Sequence, residues 1–240
     1  MKAMVLAAGL GTRLRPLTND RPKALVEVGG KTLLELTLAR LRSFGVGEVI
    51  INVHHFADMV VNYLNAHQNF GMQIAISRED VLLDTGGGLK KAAWFFLDDK
   101  EPFLVHNVDV LSNIDLARMV AFHQQQQALV TLAVQDRPTS RYLLFDSDGH
   151  LCGRRAGQDG PLGLVRPARH VDAFAFAGIH VISPPLLPLL TEDGAFSIIT
   201  SYLRLAASSK KISAFRADEY QWRDLGKLEN IAKAAQDLTP

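Results

Sequence analysis

Residues 3–8 read Ala-Met-Val-Leu-Ala-Ala and run straight into Gly9-Leu10-Gly11-Thr12-Arg13-Leu14-Arg15-Pro16. A short apolar run bounded by glycine suits a strand buried on both faces, and such strands belong to parallel sheets with helices covering each side. Gly9 and Gly11 let the chain turn sharply with bare backbone N–H groups facing outward, which suits a phosphate. Arg13 and Arg15 add fixed positive charge and Thr12 a hydroxyl; Pro16 and Thr18 end the excursion, and Pro22-Lys23 brings a second cation back. A dinucleotide-binding turn would need a third glycine where Leu14 stands, and a P-loop would need a terminal Gly-Lys-Ser/Thr. A plain turn would need neither the two arginines nor the lysine.

The remaining pattern alternates strand and helix. After an extended piece at 24–28, Thr32 and Glu35 form a potential capping box for a helix carrying Leu33, Leu34, Leu36, Leu38, Leu41 and Phe44, with Gly45 as its terminator. A strand over 48–53 delivers His54-His55; adjacent strand residues point in opposite directions, so packing or hydrogen bonding at the rim fits the pair better than a metal. A helix follows over 58–69 with Met59, Val60, Tyr63 and Leu64 inward, then a strand over 73–77. This alternation predicts an α/β fold: a Rossmann-like mixed, mostly parallel sheet flanked by helices on both faces. With 240 residues, 48% of them hydrophobic, residues 1–240 are expected to form one domain. Within it, residues about 1–115 and about 116–240 are expected to form two parts.

Three glycines, Gly86, Gly87 and Gly88, precede an expected helix and follow Glu79 and Asp84; backbone this bare can approach a flat ligand closely. The apolar strand over 103–110 ends at Asp109, a carboxylate on the ligand-binding edge of a parallel sheet, suited to Mg²⁺. Asn113 and Asp115 are an alternative, though they read better as the N-cap of a helix over 116–127, where the glutamine run 124–127 is a solvated end. A strand over 129–134, a hairpin arm over 140–149, an irregular excursion over 154–169, a strand over 174–182, a proline-led helical start at 183–185, a helix over 201–207, a strand over 211–216 and a closing helix over 228–238 complete the chain.

The run Gly9-Leu10-Gly11-Thr12-Arg13-Leu14-Arg15-Pro16-Leu17-Thr18 with Pro22-Lys23 resembles the signature of the sugar-1-phosphate nucleotidyltransferases. Leu82-Leu83-Asp84-Thr85-Gly86-Gly87, Ala177-Gly178-Ile179-His180 and Trp222-Arg223-Asp224-Leu225-Gly226 are similar to further motifs of that family. The resemblance implies transfer of a nucleoside monophosphate from a triphosphate to a sugar 1-phosphate, with release of pyrophosphate. It implies that Leu6, Ala7, Ala8, Gly9, Gly11, Thr12 and Arg13 wrap the nucleotide, with Glu79, Gly86, Gly87 and Gly88 at its base and ribose, while Arg13 and Lys23 stabilise charge on the phosphates. Asp224 would join Asp109 on Mg²⁺; Asn107 and Gly178 would face the sugar. The family's Glu-Lys-Pro is replaced by Val165-Arg166-Pro167, so Arg166 is the candidate for the sugar phosphate, with Arg141 and Arg154 as rivals. Val108 stands where the family carries glycine. Glu79 and the glycine triplet look most like the N-acetylmuramate-1-phosphate uridylyltransferases of cell-wall recycling, which favours UTP. Mannose- or heptose-1-phosphate guanylyltransferases, a choline-phosphate cytidylyltransferase and a non-catalytic nucleotide-sugar sensor stay open.

Net charge is +1 without a basic tract, so no nucleic-acid partner is expected. The lone Cys152 excludes an internal disulfide and fits a reducing compartment. No apolar run has membrane-spanning length, and the chain is expected to be soluble and cytoplasmic, as a monomer or small homo-oligomer.

Overall fold

The computed structural model describes residues 1–98 and 100–237. In chain order the elements are β1 (Lys2–Leu6), β2 (Glu27–Val28), β3 (Lys31–Thr32), α1 (Leu33–Ser43), β4 (Glu48–Val53), α2 (Ala57–Ala66), β5 (Gln73–Arg78), α3 (Asp84–Ala92), β6 (Phe103–Asn107) and β7 (Val110–Ser112). They continue with α4 (Leu116–Gln126), β8 (Val130–Gln135), β9 (Arg141–Phe145), β10 (Leu151–Ala156), β11 (Gly163–Leu164), β12 (Asp172–Ile182), α5 (Ile198–Ala207), β13 (Ile212–Arg216), β14 (Trp222–Asp224) and α6 (Leu228–Asp237). Short 3₁₀ turns lie at Thr12–Leu14 and Lys23–Leu25.

The main sheet has the order β11-β10-β9-β12-β6-β1-β4-β5, with β8 joining β12 to β13. β6, β1, β4 and β5 are parallel, as are β8 and β13, whereas β12 runs antiparallel to β6, β8 and β9. This is the expected mixed α/β sheet. Alternation along β1 divides the core. Ala3 and Val5 join α1, α2, α4 and α6 through Leu34, Leu38, Val60, Leu64, Met119 and Ala234. Met4 faces the other side and joins α3 and α5 through Leu89, Ala92, Tyr202 and Ala206. Helices therefore cover both faces, and the polar ends of the parallel strands are left as the open edge. No helix among the described residues is long and apolar enough to cross a membrane.

Local chemistry explains most boundaries. The Thr32 hydroxyl accepts from Glu35 N–H at 3.1 Å and begins α1, a cap worth about 1 kcal/mol. Asp115 caps α4 by accepting from Arg118 N–H at 2.9 Å, and Ser197 caps α5. Four details differ from the sequence pattern. Residues 24–28 begin as a 3₁₀ turn before the two-residue β2. Met59 is 39% exposed because Val60 and Leu64, one turn apart, take the inner face of α2. The run 103–110 breaks into β6 and β7 around Val108 and Asp109. Residues 154–169, expected to be irregular, contribute the end of β10 and the short β11. The closing helix matches α6 to Asp237; Leu238, its expected last residue, lies outside the described residues.

Candidate active site

The loop after β1 is built by three contacts. Ala7 N–H donates to Asn52 Oδ1 at 2.7 Å, and the Thr18 hydroxyl donates to Gly11 O at 2.9 Å. Leu14 N–H also donates to Gly11 O, at 2.8 Å, closing the turn. A Cβ on Gly11 would stand 3.0 Å from the Cβ of Lys23, so the two cationic segments pack side by side only because that position is bare. Ala7 and Ala8 are buried, and Leu6 O receives Val108 N–H at 3.1 Å, prolonging the ladder between β1 and β6. Among the described residues the N–H groups of Gly9, Leu10 and Gly11 have no acceptor, which leaves them for an anion.

Asp109 lies in the turn after β6, and Asp224 ends β14. β14 pairs antiparallel with β7, with Asp224 opposite Val110, and Leu225 N–H donates to Asp109 O at 2.7 Å. This small ladder, formed from distant parts of the chain, sets the two carboxylates next to each other. Lys23 Nζ pairs with Asp109 Oδ2, and both side chains are largely buried, at 14% and 15% exposure. Arg13 Nη1 lies 3.9 Å from Asp224 Oδ2, with the arginine 60% exposed. Gly226 closes the group. A Cβ there would be 2.8 Å from Asp224 Oδ1, 2.9 Å from Arg13 Nη2 and 3.0 Å from Asp109 Oδ2. Three of the four charged residues expected at the site, Arg13, Asp109 and Asp224, converge on Gly226, and Lys23 joins them through its pair with Asp109. Two carboxylates with oxygens beside the same small space are the hard donor set that a Mg²⁺-sized ion takes.

Val108 is buried among Leu104, Leu225 and their neighbours, and its carbonyl accepts from the Thr37 hydroxyl at 3.3 Å. Its side chain thus enters the core, and the valine leaves the Asp109 turn unobstructed.

The glycine triplet is organised differently from the expected loop. Gly86, Gly87 and Gly88 lie inside the first turns of α3, and each is covered by protein. Added Cβ atoms would stand 2.2 Å from the Phe196 ring, 2.4 Å from Gly194 O, and 2.8 Å from both Asn52 Nδ2 and Glu79 Oε1, respectively. Gly86 N–H donates to Phe196 O at 2.9 Å, Phe196 N–H to Leu83 O at 3.1 Å, and Ile198 N–H to the Thr85 hydroxyl at 3.0 Å. The triplet is a seam between α3 and the start of α5. Glu79 is likewise turned inward at 4% exposure. Its Oε1 accepts from Asn52 Nδ2 at 2.7 Å and its Oε2 from Leu83 N–H at 2.9 Å. His54 stands at the rim, its Nδ1 2.8 Å from Glu79 O.

Asn52 is the residue that sequence reasoning missed. It bridges the β1 loop and the Glu79 loop from the end of β4, and it is buried. One amide in the otherwise apolar run Val49-Ile50-Ile51-Asn52-Val53 was the available signal, since a buried polar side chain must find partners.

On the other side of the carboxylates, β12 is irregular between Phe176 and His180. Gly178 has φ of +77°, and a Cβ there would meet Val110 Cγ2 at 2.8 Å and Asn107 Nδ2 at 2.9 Å. Asn107 and Gly178 are therefore neighbours, beside the Asp109 turn. Arg166 is not brought to them. It pairs with Asp146 Oδ2 at the β9–β10 turn, where Asp146, Asp148 and His150 cluster. Asp146 Oδ1 there accepts from the N–H groups of Asp148 and His150, so that cluster is an occupied turn. The pairing holds Arg166 at that turn and not at the Asp109 turn.

Residues 2–155 match the family model described as Nucleotidyl transferase. The chain belongs to this family. N-acetylmuramate alpha-1-phosphate uridylyltransferase of Caulobacter vibrioides is 36% identical to it, over 98% of this chain and 97% of that protein. A mannose-1-phosphate guanyltransferase of Yarrowia lipolytica is 28% identical over 96% of this chain, which spans only 62% of that longer relative. The crystal structure of HddC from Yersinia pseudotuberculosis shares the fold, with a TM-score of 0.79 over 99% of each chain at 22% identity. The family member described here is an enzyme of the sugar-1-phosphate nucleotidyltransferase type, as its motifs implied.

Proposed function

We propose that this enzyme transfers uridylate from UTP to N-acetylmuramate 1-phosphate, releasing pyrophosphate, and that it does so in the cytoplasm with Mg²⁺ held by Asp109 and Asp224. The observation that carries the reading is the convergence of Arg13, Asp109 and Asp224 on Gly226, with Lys23 paired to Asp109. Similarity across the full length of the uridylyltransferase from Caulobacter vibrioides supports the choice of base and sugar.

The chemistry follows from the donor set. The bare N–H groups of Gly9, Leu10 and Gly11 receive the triphosphate, and Arg13, the more exposed cation, reaches its β and γ phosphates. Lys23 neutralises charge that grows as pyrophosphate leaves. A bound divalent ion supplies Lewis-acid charge at the α-phosphate. Asn107 and Gly178, packed on each other beside the Asp109 turn, line the side of the site assigned to the sugar, whose phosphate oxygen attacks in line. That oxygen is already ionised near neutral pH, so positioning and electrostatics suffice and no general base is required. The Asn52–Glu79 pair and the glycine seam act indirectly, by fixing the loops on which the base and ribose lie.

Pyrophosphate release with Mg²⁺, measured across UTP, GTP, CTP, dTTP and ATP against N-acetylmuramate-, mannose-, glucose- and heptose-1-phosphate, tests the reading. The UTP and N-acetylmuramate 1-phosphate pair is expected to dominate. Dominance of GTP with mannose 1-phosphate would replace the base and sugar while keeping the reaction; silence throughout the matrix would overturn it.

A further inference from the structure

With Arg166 held at the β9–β10 turn by Asp146, the sugar side of the site has no assigned cation for its phosphate. One guanidinium stands close by without a role. Arg137 follows β8, and its Cζ lies 3.6 Å from the centre of the Trp222 ring. Trp222 and Asp224 are two apart on β14 and so point to the same face, which puts the stacked guanidinium on the face of the metal-site carboxylate. Two further bonds fix it there. The Trp222 indole N–H donates to Ala177 O at 2.7 Å, and Arg137 Nη2 donates to Phe176 O at 2.9 Å, so both side chains brace the irregular part of β12 that carries Gly178. Arg137 thus stacks on the strand that ends at Asp224 and bonds the segment of β12 next to Gly178, the residue packed on Asn107.

Its hydrogen bonding is incomplete. Nε is buried with no acceptor, and among the described residues Nη1 has none either. Nε is sealed by protein and closed to a ligand, whereas Nη1 is not sealed and keeps its N–H groups unspent, a donor suited to a phosphate oxygen. Burial lowers the Arg137 pKa while the Asp224 carboxylate raises it, consistent with a charge held near the reactive group by its stack on indole.

We propose that Arg137 binds the phosphate of the incoming sugar 1-phosphate, orienting it towards the nucleotide held over Asp109 and Asp224. This rests on the reaction proposed above, and the test separates the two. Binding of N-acetylmuramate-, glucose- and mannose-1-phosphate to the full chain is measured by calorimetry beside a non-hydrolysable UTP analogue, for wild type, Arg137→Gln and Arg137→Lys, with melting temperatures. The glutamine variant is expected to bind the preferred sugar phosphate about tenfold more weakly or worse, as loss of a charge-assisted pair requires, with the UTP analogue within about threefold of wild type. Lysine, which keeps the charge but loses the fork, should fall between them. Equal sugar-phosphate affinity in all three proteins would overturn the proposal. So would a parallel loss of both ligands with a lowered melting temperature, the signature of a residue that only braces β12, or failure of wild type to bind any of the three sugars. Selective loss in the variant without pyrophosphate release by wild type would leave Arg137 in place and remove the transfer reaction.

Discussion

At the scale of single residues, polar groups at the ends of apolar strands carry the site. Asp109→Asn and Asp224→Asn each keep shape and remove a negative charge, and turnover is expected to fall by about 10²-fold or more while the melting temperature changes little. Steady-state kinetics with a thermal melt checks this, and normal turnover in either variant would remove that carboxylate from the metal site. Asn52→Ala leaves Ala7 N–H and Glu79 Oε1 without their partner. Stability should drop by ~1–3 kcal/mol in a denaturant titration, as for other buried polar groups left unpaired. The KM for the triphosphate should rise more than that for the sugar phosphate. That Arg13, Lys23, Asp109 and Asp224 would lie together was legible because their motifs are long and their residue types unusual beside glycine. Asn52 was not, because its importance lies in two loops that only the folded chain brings to it. Arg166 was misleading for the same reason, since its partner Asp146 sits 20 positions away in the turn between β9 and β10.

At the scale of elements, strand and helix order was readable because the continuous apolar runs of β1 and β4 and the caps at Thr32 and Asp115 are local signals. The glycine triplet was not, because three bare residues before an apolar stretch look the same whether they face a ligand or another helix. Phe196 decides the matter. A Cβ on Gly86 would lie 2.2 Å from its ring, so Gly86→Ala should destabilise the protein by roughly 1–3 kcal/mol, the usual cost of overpacking. Adding Phe196→Leu should recover part of that loss, a coupling that a double-mutant cycle measures directly. Additive losses would show that α3 and α5 do not meet at this seam.

At the scale of the whole molecule, stability should depend on three histidines enclosed in the fold. Burial pushes the pKa of His106 and His123 down to about 4 and that of His180 to about 3. His106 Nδ1 lies 2.8 Å from Asn107 O and its Nε2 has no partner, while His180 Nδ1 is 2.8 Å from the Tyr202 hydroxyl. The rings are neutral when folded and protonate near pH 6.5 once unfolded. The unfolded chain therefore binds more protons below that value. Stability from these sites is complete above pH 6.5 and is lost as pH falls towards 4 and then 3, by about 1 kcal/mol per pH unit for each ring. Urea titrations from pH 7.5 to 4.5 should show this slope, and His123→Gln should flatten it; an unchanged slope would count against His123 as a contributor.

The pairing of β7 with β14 sets Val110 opposite Asp224, and just beyond the strands Asn113 Oδ1 accepts from Gln221 N–H, 108 positions on in sequence. During synthesis Arg13, Lys23 and Asp109 leave the ribosome long before Asp224 does. The two carboxylates therefore stand side by side only in a chain whose last strand has been made and paired, and an unfinished chain lacks the arrangement.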